Sequence, residues 1–334
     1  MKPMTIKEPL NLTPIPKARV WGGQALSRCL GLNFDLPGPT GEIWSIVDRD
    51  DCSSLIAGGR FAGCSLRGLM LSHRDDILGR SQSTPESAFP FIIKYIDTDQ
   101  NLSVQVHPDA QGAQLVGEGA ESKDEFWYVL SARMGARIFF GLKSGVGAAE
   151  FTSSAGGPSI VETLDEYPVR GGDCIYVPAG IVHSIGAGIT LVEVQKNSDT
   201  TFRIYDWGRM GMNGHPRVCH IEKALQVIDF KTHVRGPYQQ KSRQVGMNLH
   251  STLLATGDFG VELLSIDAPL QHETADQAWA LVVLAGSVRL TAMEVNVEWE
   301  LHRGDTWLIP ASLGKYRLHS PVGDVKIIRV EAKP

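Results

Sequence analysis

The sequence GGDCIYVPA at residues 171–179 returns as RGDTWLIPA at residues 303–311. Both copies have the form GD-x-x-x-(I/V)-PA, in which a glycine turn leads into a short apolar strand that a proline then ends. No simple short-period repeat accompanies the two copies, so the echo marks a larger unit that occurs twice. We therefore predict two related β-barrels in tandem.

Short segments with a strand pattern surround both copies. Before the middle of the chain they are residues 17–23, 41–47, 91–96, 102–107, 126–130, 136–140, 167–170 and 189–195. In the second half they are residues 259–264, 279–285, 287–292 and 298–302. Turns at this spacing, in a chain with 35 glycines and 18 prolines, are typical of a sandwich or jelly roll. The predicted fold class is all-β dominated, with two tandem jelly-roll barrels and a few short helices.

The same pattern predicts the domain organisation. Residues 1–215 form the first domain, with a helical segment at about residues 53–82 and a short helix near residues 110–116. The Gly/Ser/Ala-rich residues 145–158 are predicted to be a loop. Residues 216–245 are a helix, at about residues 221–230, and a linker. Residues 246–334 form the second barrel.

Composition excludes several classes of protein. The chain has 334 residues, of which 43% are hydrophobic, and a formal net charge of −5, which argues against disorder and against nucleic-acid binding. Its five cysteines form no CxxC pair, which argues against a disulfide framework and a thiolate zinc site. The N-terminal MKPMTIKEPLNL lacks the features of a signal peptide, and no apolar run approaches the roughly 18 residues of a membrane span. The expected location is cytoplasmic.

Polar residues on otherwise apolar strands point to a site. Gln105 and His107 are two apart on one predicted strand, so their side chains share a face and need partners if they are buried. A metal ion is one such partner; a solvated strand face or a histidine hydrogen-bonded in the core is the alternative. His183 ends the pattern G-x5-P-A-G-x2-H that starts at Gly172. This pattern resembles the second motif of the cupin superfamily, although Ala187 stands where that motif has asparagine.

The first cupin motif normally supplies two histidines two residues apart and then a glutamate. Here Gln105 replaces the first histidine, and Glu125 is the candidate glutamate. One Gln, two His and one Glu suit a divalent ion, and the mixed nitrogen and oxygen set fits zinc. A neutral Gln and a single carboxylate leave net positive charge on such a site, which helps to polarise a sugar oxygen.

Longer stretches resemble one family, the type I mannose-6-phosphate isomerases (phosphomannose isomerases), in their short bacterial form. The resemblance covers most of residues 1–230, and its QVHPD, K-x-E, PAG-x2-H and DTTFR-x-YDWGR elements occur in the order and spacing of that family. The matching stretches are KARVWGG (17–23), GEIWSIVD (41–48), LSVQVHPD (102–109), KDEFWYVL (123–130) and residues 172–209.

The resemblance implies roles for individual residues. One zinc ion per chain would be bound by Gln105, His107, Glu125 and His183. Arg203 would be the catalytic arginine near the C1–C2 atoms, Lys123 would lie on the substrate side of the metal, and Ser103 would line the pocket. The reaction of the family interconverts mannose 6-phosphate and fructose 6-phosphate through a cis-enediol(ate).

Reasoning from the residues leaves some roles open. Proton transfer next to a carbonyl needs a base, and either Glu193 or a water molecule at the metal would serve; Arg203 is always charged and is a poor base. Lys123 could instead be a solvated loop lysine, and Arg203 a partner of Asp199 or Asp206. The sequence contains no P-loop or GxGxxG cradle for a phosphate. The basic residues that we considered for that group are Arg19, Lys196 and Arg209.

Three competing functions remain at this stage. The chain could be a metal-binding bicupin that acts on another sugar or sugar phosphate, or one that senses it without catalysis. A cupin dioxygenase would need iron and usually three histidines, so Gln105 argues against it. Residues 250–334 contain no second QxH or PAG-x2-H, which predicts a second barrel that packs but binds no metal. The expected partner is a small sugar phosphate, without nucleic acid or membrane; the sequence leaves the oligomeric state open.

Overall fold

The structure is a computed structural model that describes residues 5–31, 38–80, 88–320 and 322–333, with Ser27 described by its backbone alone. Residues 81 and 82 of the predicted helical segment lie outside the described residues. So do residues 1–4, 32–37 and 83–87 of the first predicted domain and residues 321 and 334 of the last.

Strands dominate the described residues, as the sequence predicted. The first twelve are β1 (Leu10–Asn11), β2 (Ile15–Gly23), β3 (Thr40–Ile46), β4 (Phe91–Asp97), β5 (Val104–Val106), β6 (Glu125–Ala132), β7 (Arg137–Leu142), β8 (Leu164–Pro168), β9 (Cys174–Val177), β10 (His183–Ile185), β11 (Ile189–Lys196) and β12 (Phe202–Tyr205). The next ten are β13 (Arg243–Val245), β14 (Asn248–Ala255), β15 (Phe259–Ile266), β16 (Leu270–Glu273), β17 (Trp279–Ala285), β18 (Ser287–Ala292), β19 (Val297–His302), β20 (Thr306–Ile309), β21 (Lys315–His319) and β22 (Val325–Ala332).

The helices in the described residues are short. They are α1 (Ala25–Leu30), α2 (Leu66–Ser72), α3 (Arg74–Leu78), α4 (Ala110–Val116), α5 (Ala148–Ser154) and α6 (Ile221–Val227), with 3-10 turns at Pro158–Thr163 and Ala311–Leu313. Within the described part of the predicted helical segment, α2 and α3 are the helices present. The predicted loop at residues 145–158 is wrong in its middle, where α5 forms and buries Phe151. None of the helices in the described residues has the length and apolar character needed to cross a membrane.

The strands form two jelly-roll sandwiches with the same topology, which confirms the predicted fold class. The first pairs a sheet of order β2-β3-β4-β11-β6-β9 with one of order β12-β5-β10-β7-β8. The second pairs β13-β14-β15-β22-β17-β20 with β16-β21-β18-β19. Ten strands therefore recur in one order, and the two GD-x-x-x-(I/V)-PA copies carry the corresponding strands β9 and β20. The additional strands are β12, which pairs with β5, and β1, which pairs with β20.

The two sandwiches share a hydrophobic core. One cluster joins Phe91 and Ile93 of the first sandwich to Val261 and Ile328 of the second. The chain also crosses between them at its start, because Leu10 pairs with Leu308. Separate clusters fill each sandwich. The proposed division at residues 215 and 246 stays a prediction; β13 begins at Arg243, three residues before the second boundary.

Candidate metal centre and active site

Strands β5, β6 and β10 bring the predicted ligands together, with His107 directly after the end of β5. Gln105 lies on β5 directly opposite His183 at the start of β10. Glu125 is the first residue of β6, on the facing sheet, where it pairs with Gln195 of β11. The loop after β9 is fixed from both sides: the Gly180 amide donates to the His107 carbonyl at 2.8 Å, and the Ala179 amide donates to the Asp124 carboxylate at 2.7 Å.

His107, Glu125 and His183 form a buried cluster that could hold a metal ion. One ligand atom from each lies within 4.8 Å of the others. Nε2 of His107 is 3.0 Å from Glu125 Oε1, and Nε2 of His183 is 3.7 Å from Glu125 Oε2. Among the described residues, this is the one group of three or more His, Cys, Asp or Glu side chains whose ligand atoms lie this close together.

The imidazoles are oriented by their second nitrogens. Nδ1 of His107 lies 2.9 Å from the Thr200 carbonyl, and Nδ1 of His183 lies 2.9 Å from the Ile181 carbonyl. Donation from Nδ1 to a carbonyl leaves Nε2 as a lone-pair donor toward the cluster, which is the usual support for a metal-binding histidine. Nε2 of His107 is buried and, within the described residues, has no hydrogen-bond partner, although Glu125 Oε1 lies 3.0 Å from it. The residues therefore fit a divalent ion.

Gln105 lies beside this cluster. Its Nε2 is 3.3 Å from His183 Nε2, and its Oε1 accepts a hydrogen bond from Ser103 Oγ at 3.1 Å. An amide binds a cation through oxygen. Ligation by Gln105 therefore requires the amide to turn over, after which Ser103 would accept from the amide nitrogen.

The charges of the cluster suit a cation. Burial alone would raise the pKa of Glu125, but Lys123, whose Nζ is 2.7 Å away, and the two histidines hold that pKa well below its usual range. Burial and the nearby Lys123 lower the pKa of His107 to about 4, and burial also lowers the pKa of His183. Neutral imidazoles and an ionised carboxylate are the forms that bind a metal ion. Lys123 is 4% exposed and is not the solvated loop lysine that the sequence allowed.

A cavity of about 530 Å³ opens above the cluster. The predicted site residues that line it are Ser103, Gln105, Lys123, Glu125, Glu193 and Arg203. The indole of Trp127 links its two buried carboxylates, since Nε1 lies 3.1 Å from both Glu125 Oε2 and Glu193 Oε1. Burial and the nearby Glu125 carboxylate raise the pKa of Glu193 to about 7.

Arg203 enters the cavity from β12. Its Nη1 donates to the Val218 carbonyl at 2.8 Å, and its Nε is buried without a hydrogen-bond partner in the described residues. Asp206, one of the partners that the sequence suggested for it, is bound instead by Arg209 and Arg217.

The three basic residues considered for a phosphate are placed differently. Arg19 lines the cavity and pairs with Glu42, with Nε and Nη2 at 3.1 and 3.0 Å from its carboxylate. Lys196 pairs with Asp258 at 3.1 Å and, like Arg209, is not among the residues that line the cavity.

Sequence reasoning missed Lys94, Glu42 and Arg217, which also line the cavity. Lys94 Nζ lies 2.7 Å from Gln195 Oε1, 3.4 Å from Glu193 Oε2 and 4.7 Å from the centre of the Trp44 ring. A signal for Lys94 was present: a single lysine in the apolar run FIIKYI of a buried strand needs a buried partner. No comparable signal marks Arg217, which follows a loop rich in glycine.

Comparison with known proteins agrees with this geometry. Residues 10–128 match the model of the family described as phosphomannose isomerase type I, catalytic domain. The chain is 34% identical to the mannose-6-phosphate isomerase of Streptococcus mutans over 324 residues, covering 96% of this chain and 97% of the relative. It is 31% identical to the mannose-6-phosphate isomerase ManA of Bacillus subtilis over 312 residues, covering 93% of this chain and 96% of that protein.

A solved structure shows the same fold over nearly the whole chain. The crystal structure of the mannose 6-phosphate isomerase from Bacillus subtilis superposes with a TM-score of 0.85 at 27% identity, covering 96% of this chain and 99% of that one. The similarity therefore extends beyond residue 230 and includes the second sandwich. The chain belongs to the type I phosphomannose isomerase family and is an isomerase.

Proposed function

We propose that this chain interconverts mannose 6-phosphate and fructose 6-phosphate with one zinc ion per chain. Gln105, His107, Glu125 and His183 would hold the ion. The observation that carries the proposal is the buried Nε2 of His107, which has no hydrogen-bond partner in the described residues. It lies 3.0 Å from Glu125, and Glu125 lines a cavity together with other acidic and basic side chains. The names of the relatives supply the substrate.

The bound ion would supply Lewis-acid polarisation of the sugar oxygens next to the reacting carbons. The protein's own groups add fixed positive charge. Lys123 is held at 2.7 Å from Glu125 Oε1 and faces the cavity. Arg203 points an always-ionised guanidinium into the same space. Together they stabilise the negative charge that develops when a proton leaves C2.

We assign the proton transfer to Glu193. This carboxylate is buried, lines the cavity and has a pKa raised to about 7, so near neutral pH it is able both to accept and to release a proton. Trp127 holds one of its oxygens at 3.1 Å, and Lys94 lies 3.4 Å from the other. In this scheme Glu193 takes the proton from C2 and returns it to C1, while the hydroxyl proton of O2 passes to O1. The reverse reaction uses the same path.

A coupled assay tests the function. Purified protein is given mannose 6-phosphate, and fructose 6-phosphate is measured before chelation, after chelation and after zinc is restored. We expect turnover that chelation removes and zinc restores. Absence of turnover by the zinc-loaded protein, with retained binding of sugar phosphates, would instead support the sensing bicupin. Turnover that survives complete chelation would contradict the metal requirement.

The ligand assignment has its own test. His107→Ala removes one buried ligand of the cluster, so we expect the purified variant to contain no zinc and to have no isomerase activity. His302→Ala, which changes an exposed histidine of the second sandwich, is the matched control and should keep both. Full zinc occupancy in folded His107→Ala would show that the ligands are other residues.

A further inference from the structure

The side chains that line the cavity are buried at its base and partly exposed at its rim. At the base, the side chains of Lys123, Glu125 and Glu193 are at most 5% exposed. At the rim, the side chains of Arg217 and Arg19 are 23% and 35% exposed. A sugar 6-phosphate has the reacting C1 and C2 at one end of its carbon chain and the phosphoryl group at the other. If C1 and C2 lie at the cluster, the phosphoryl group must lie toward the arginines.

The arginines that line the cavity differ in how far they are already paired. Arg19 gives Nε and Nη2 to Glu42, and its Nη1 to the Ala18 carbonyl at 3.3 Å. Both oxygens of the Glu42 carboxylate therefore already accept from this guanidinium. Arg203 is the residue assigned to the reacting carbons. Arg217 gives Nε and Nη2 to Asp206, at 2.7 and 2.5 Å, and this pair does not use Nη1.

Asp206 cannot neutralise the arginines around it. Its Oδ1 also accepts from Nη2 of Arg209 at 2.8 Å, so one carboxylate serves two guanidinium groups. Arg203 lies next to this pair, since its Nη1 donates to the carbonyl of Val218, the residue after Arg217. Its guanidinium adds to the same positive charge. Three arginines around one aspartate leave a surplus of positive charge at the rim, where a phosphate dianion would be the complementary ligand.

The chain before Arg217 is shaped to form the rim. The Gly211 amide donates to the His215 carbonyl at 2.8 Å, and Met210 pairs with Pro216, so residues 210–216 close into a compact loop. Gly211, Met212 and Asn213 line the cavity. A Cβ at Gly38 would lie 3.0 Å from the Met212 methyl group, so the loop reaches across to the chain before β3. Arg217 therefore stands at the end of a loop that covers one side of the mouth.

We propose that Arg217 binds the phosphoryl group of the substrate and thereby selects phosphorylated sugars, with Asp206 as the residue that positions it. This inference rests on the proposed function. A guanidinium group held through Nε and Nη2 keeps further N–H groups for a phosphate oxygen. Lysine, a point charge on a flexible stem, would keep the attraction but lose the hold of Asp206.

The test compares wild type, Arg217→Ala and Arg217→Lys with mannose 6-phosphate and with unphosphorylated mannose as substrates. We expect Arg217→Ala to raise KM for mannose 6-phosphate by about 10- to 100-fold, because losing a charge-assisted hydrogen bond to the substrate weakens binding by about that factor. The preference for the phosphorylated over the plain sugar, as a ratio of kcat/KM values, should fall by a similar factor. Arg217→Lys should recover part of the loss. Arg137→Ala, which removes an exposed arginine paired with Glu166, should behave as wild type.

Inorganic phosphate gives a readout that does not depend on turnover. Wild type should bind it in calorimetry, and Arg217→Ala should bind it at least about 10-fold more weakly. An unchanged KM and unchanged phosphate binding in Arg217→Ala would overturn the assignment. So would a fall in kcat with KM unaltered, which would place Arg217 at the reacting carbons. If wild type binds phosphate through Arg217 but does not turn over mannose 6-phosphate, the proposed reaction is wrong while the phosphate site stands.

Discussion

Glu42 accepts three side-chain hydrogen bonds on one carboxylate. Arg19 donates to both of its oxygens, and the Trp44 indole donates to Oε2 at 2.7 Å. Burial raises the pKa of Glu42, but Lys94 and Arg19 outweigh that effect and lower the pKa to about 2. Because the folded pKa lies below the unfolded value of 4.5, the ionised group contributes stability above pH 4.5 that is lost as the pH falls toward 2.

Glu42→Gln should therefore reduce the free energy of unfolding at pH 7 by about 3 kcal/mol, an upper bound from that pKa difference. Urea unfolding of the chelated protein, from pH 7 down to pH 3, measures this without interference from metal release. The gap between variant and wild type should narrow below pH 4.5. A gap that stays constant with pH would mean that lost packing, and not lost charge, explains the effect.

Glu193 is the residue whose ionisation should govern the rate. As the proposed base it must be deprotonated, so kcat should fall as the pH drops through its pKa. Burial and Glu125 raise that pKa to about 7, and the field of a bound cation would bring it back down from there. Glu193→Gln keeps the shape but cannot take a proton, and should reduce kcat by about 100- to 10,000-fold with zinc still bound. Steady-state kinetics and metal analysis of the same sample check both. Activity within 10-fold of wild type would favour a water molecule as the base.

At the scale of elements, α4 begins four residues after the end of β5, the strand that carries the candidate ligand Gln105. Asp109 caps this helix by accepting the Gly112 amide at 2.6 Å. Asp109→Ala should reduce the free energy of unfolding by about 1 kcal/mol, the usual cost of a lost N-cap. Asp109→Asn keeps the acceptor and is the control. Thermal unfolding of the two variants compares them, and an equal loss of stability in both would show that charge at this position matters more than the cap.

The elements that the sequence predicted are those with strong apolar patterns. Strands β4 and β11 are buried nearly throughout, and their many apolar residues identified them. β16, with the sequence LQHE, lacks that signal because only its pairing with β21 makes it a strand. α5 was missed for a related reason. Its sequence AAEFTSS has one large apolar residue, Phe151, which is buried, so the helix shows no repeating apolar pattern.

The residues of the candidate site also divide into those that a sequence pattern identified and those that tertiary packing alone brings to the cavity. Motifs with fixed spacing identified His107 and His183, which are close to one another in the structure. Lys94 and Arg217 reach the cavity only through tertiary packing. Lys94 comes from a strand that borders β11, and Arg217 comes from the end of a loop held by Asp206. Spacing along the chain contains no information on either contact, so the motif residues were predictable and these two basic residues were not.

At the scale of the whole molecule, the two sandwiches match residue by residue through strand register. Gln105 faces His183 in the first, and His272 faces Tyr316 at the same place in the second. Trp279 occupies the position of Glu125, because each pairs with the residue before the PA turn.

An acidic and a basic residue pair across equivalent strands of the two sandwiches, but the strand that carries the acid in one carries the base in the other. Lys94 pairs with Glu193 across the strands of the first, whereas Glu262 pairs with Arg329 across the corresponding strands of the second. The second sandwich thus keeps a polar cluster at the place of the candidate metal centre, with a different chemistry.

Arg329 is the centre of that second cluster. Its Nε and Nη2 donate to Glu262 Oε2 at 2.8 and 2.5 Å, its Nη1 lies 2.6 Å from His272 Nδ1, and its guanidinium lies 4.2 Å from the centre of the Trp279 ring. Burial and Arg329 lower the pKa of His272 to about 3, so this ring is neutral and accepts the hydrogen bond. An internal cation therefore takes the role that a metal ion would have in the first sandwich.

This arrangement predicts a second sandwich whose stability depends on an ion pair and not on zinc. Glu262→Gln leaves the buried Arg329 charge without its carboxylate and should cost about 3–5 kcal/mol of unfolding free energy, whereas Glu262→Leu combined with Arg329→Met should recover most of that loss. Urea unfolding of the single and double variants measures the difference, and zinc analysis should give one ion per chain in each. Equal destabilisation of both would mean that the shape of this cluster, and not its charge, stabilises the sandwich.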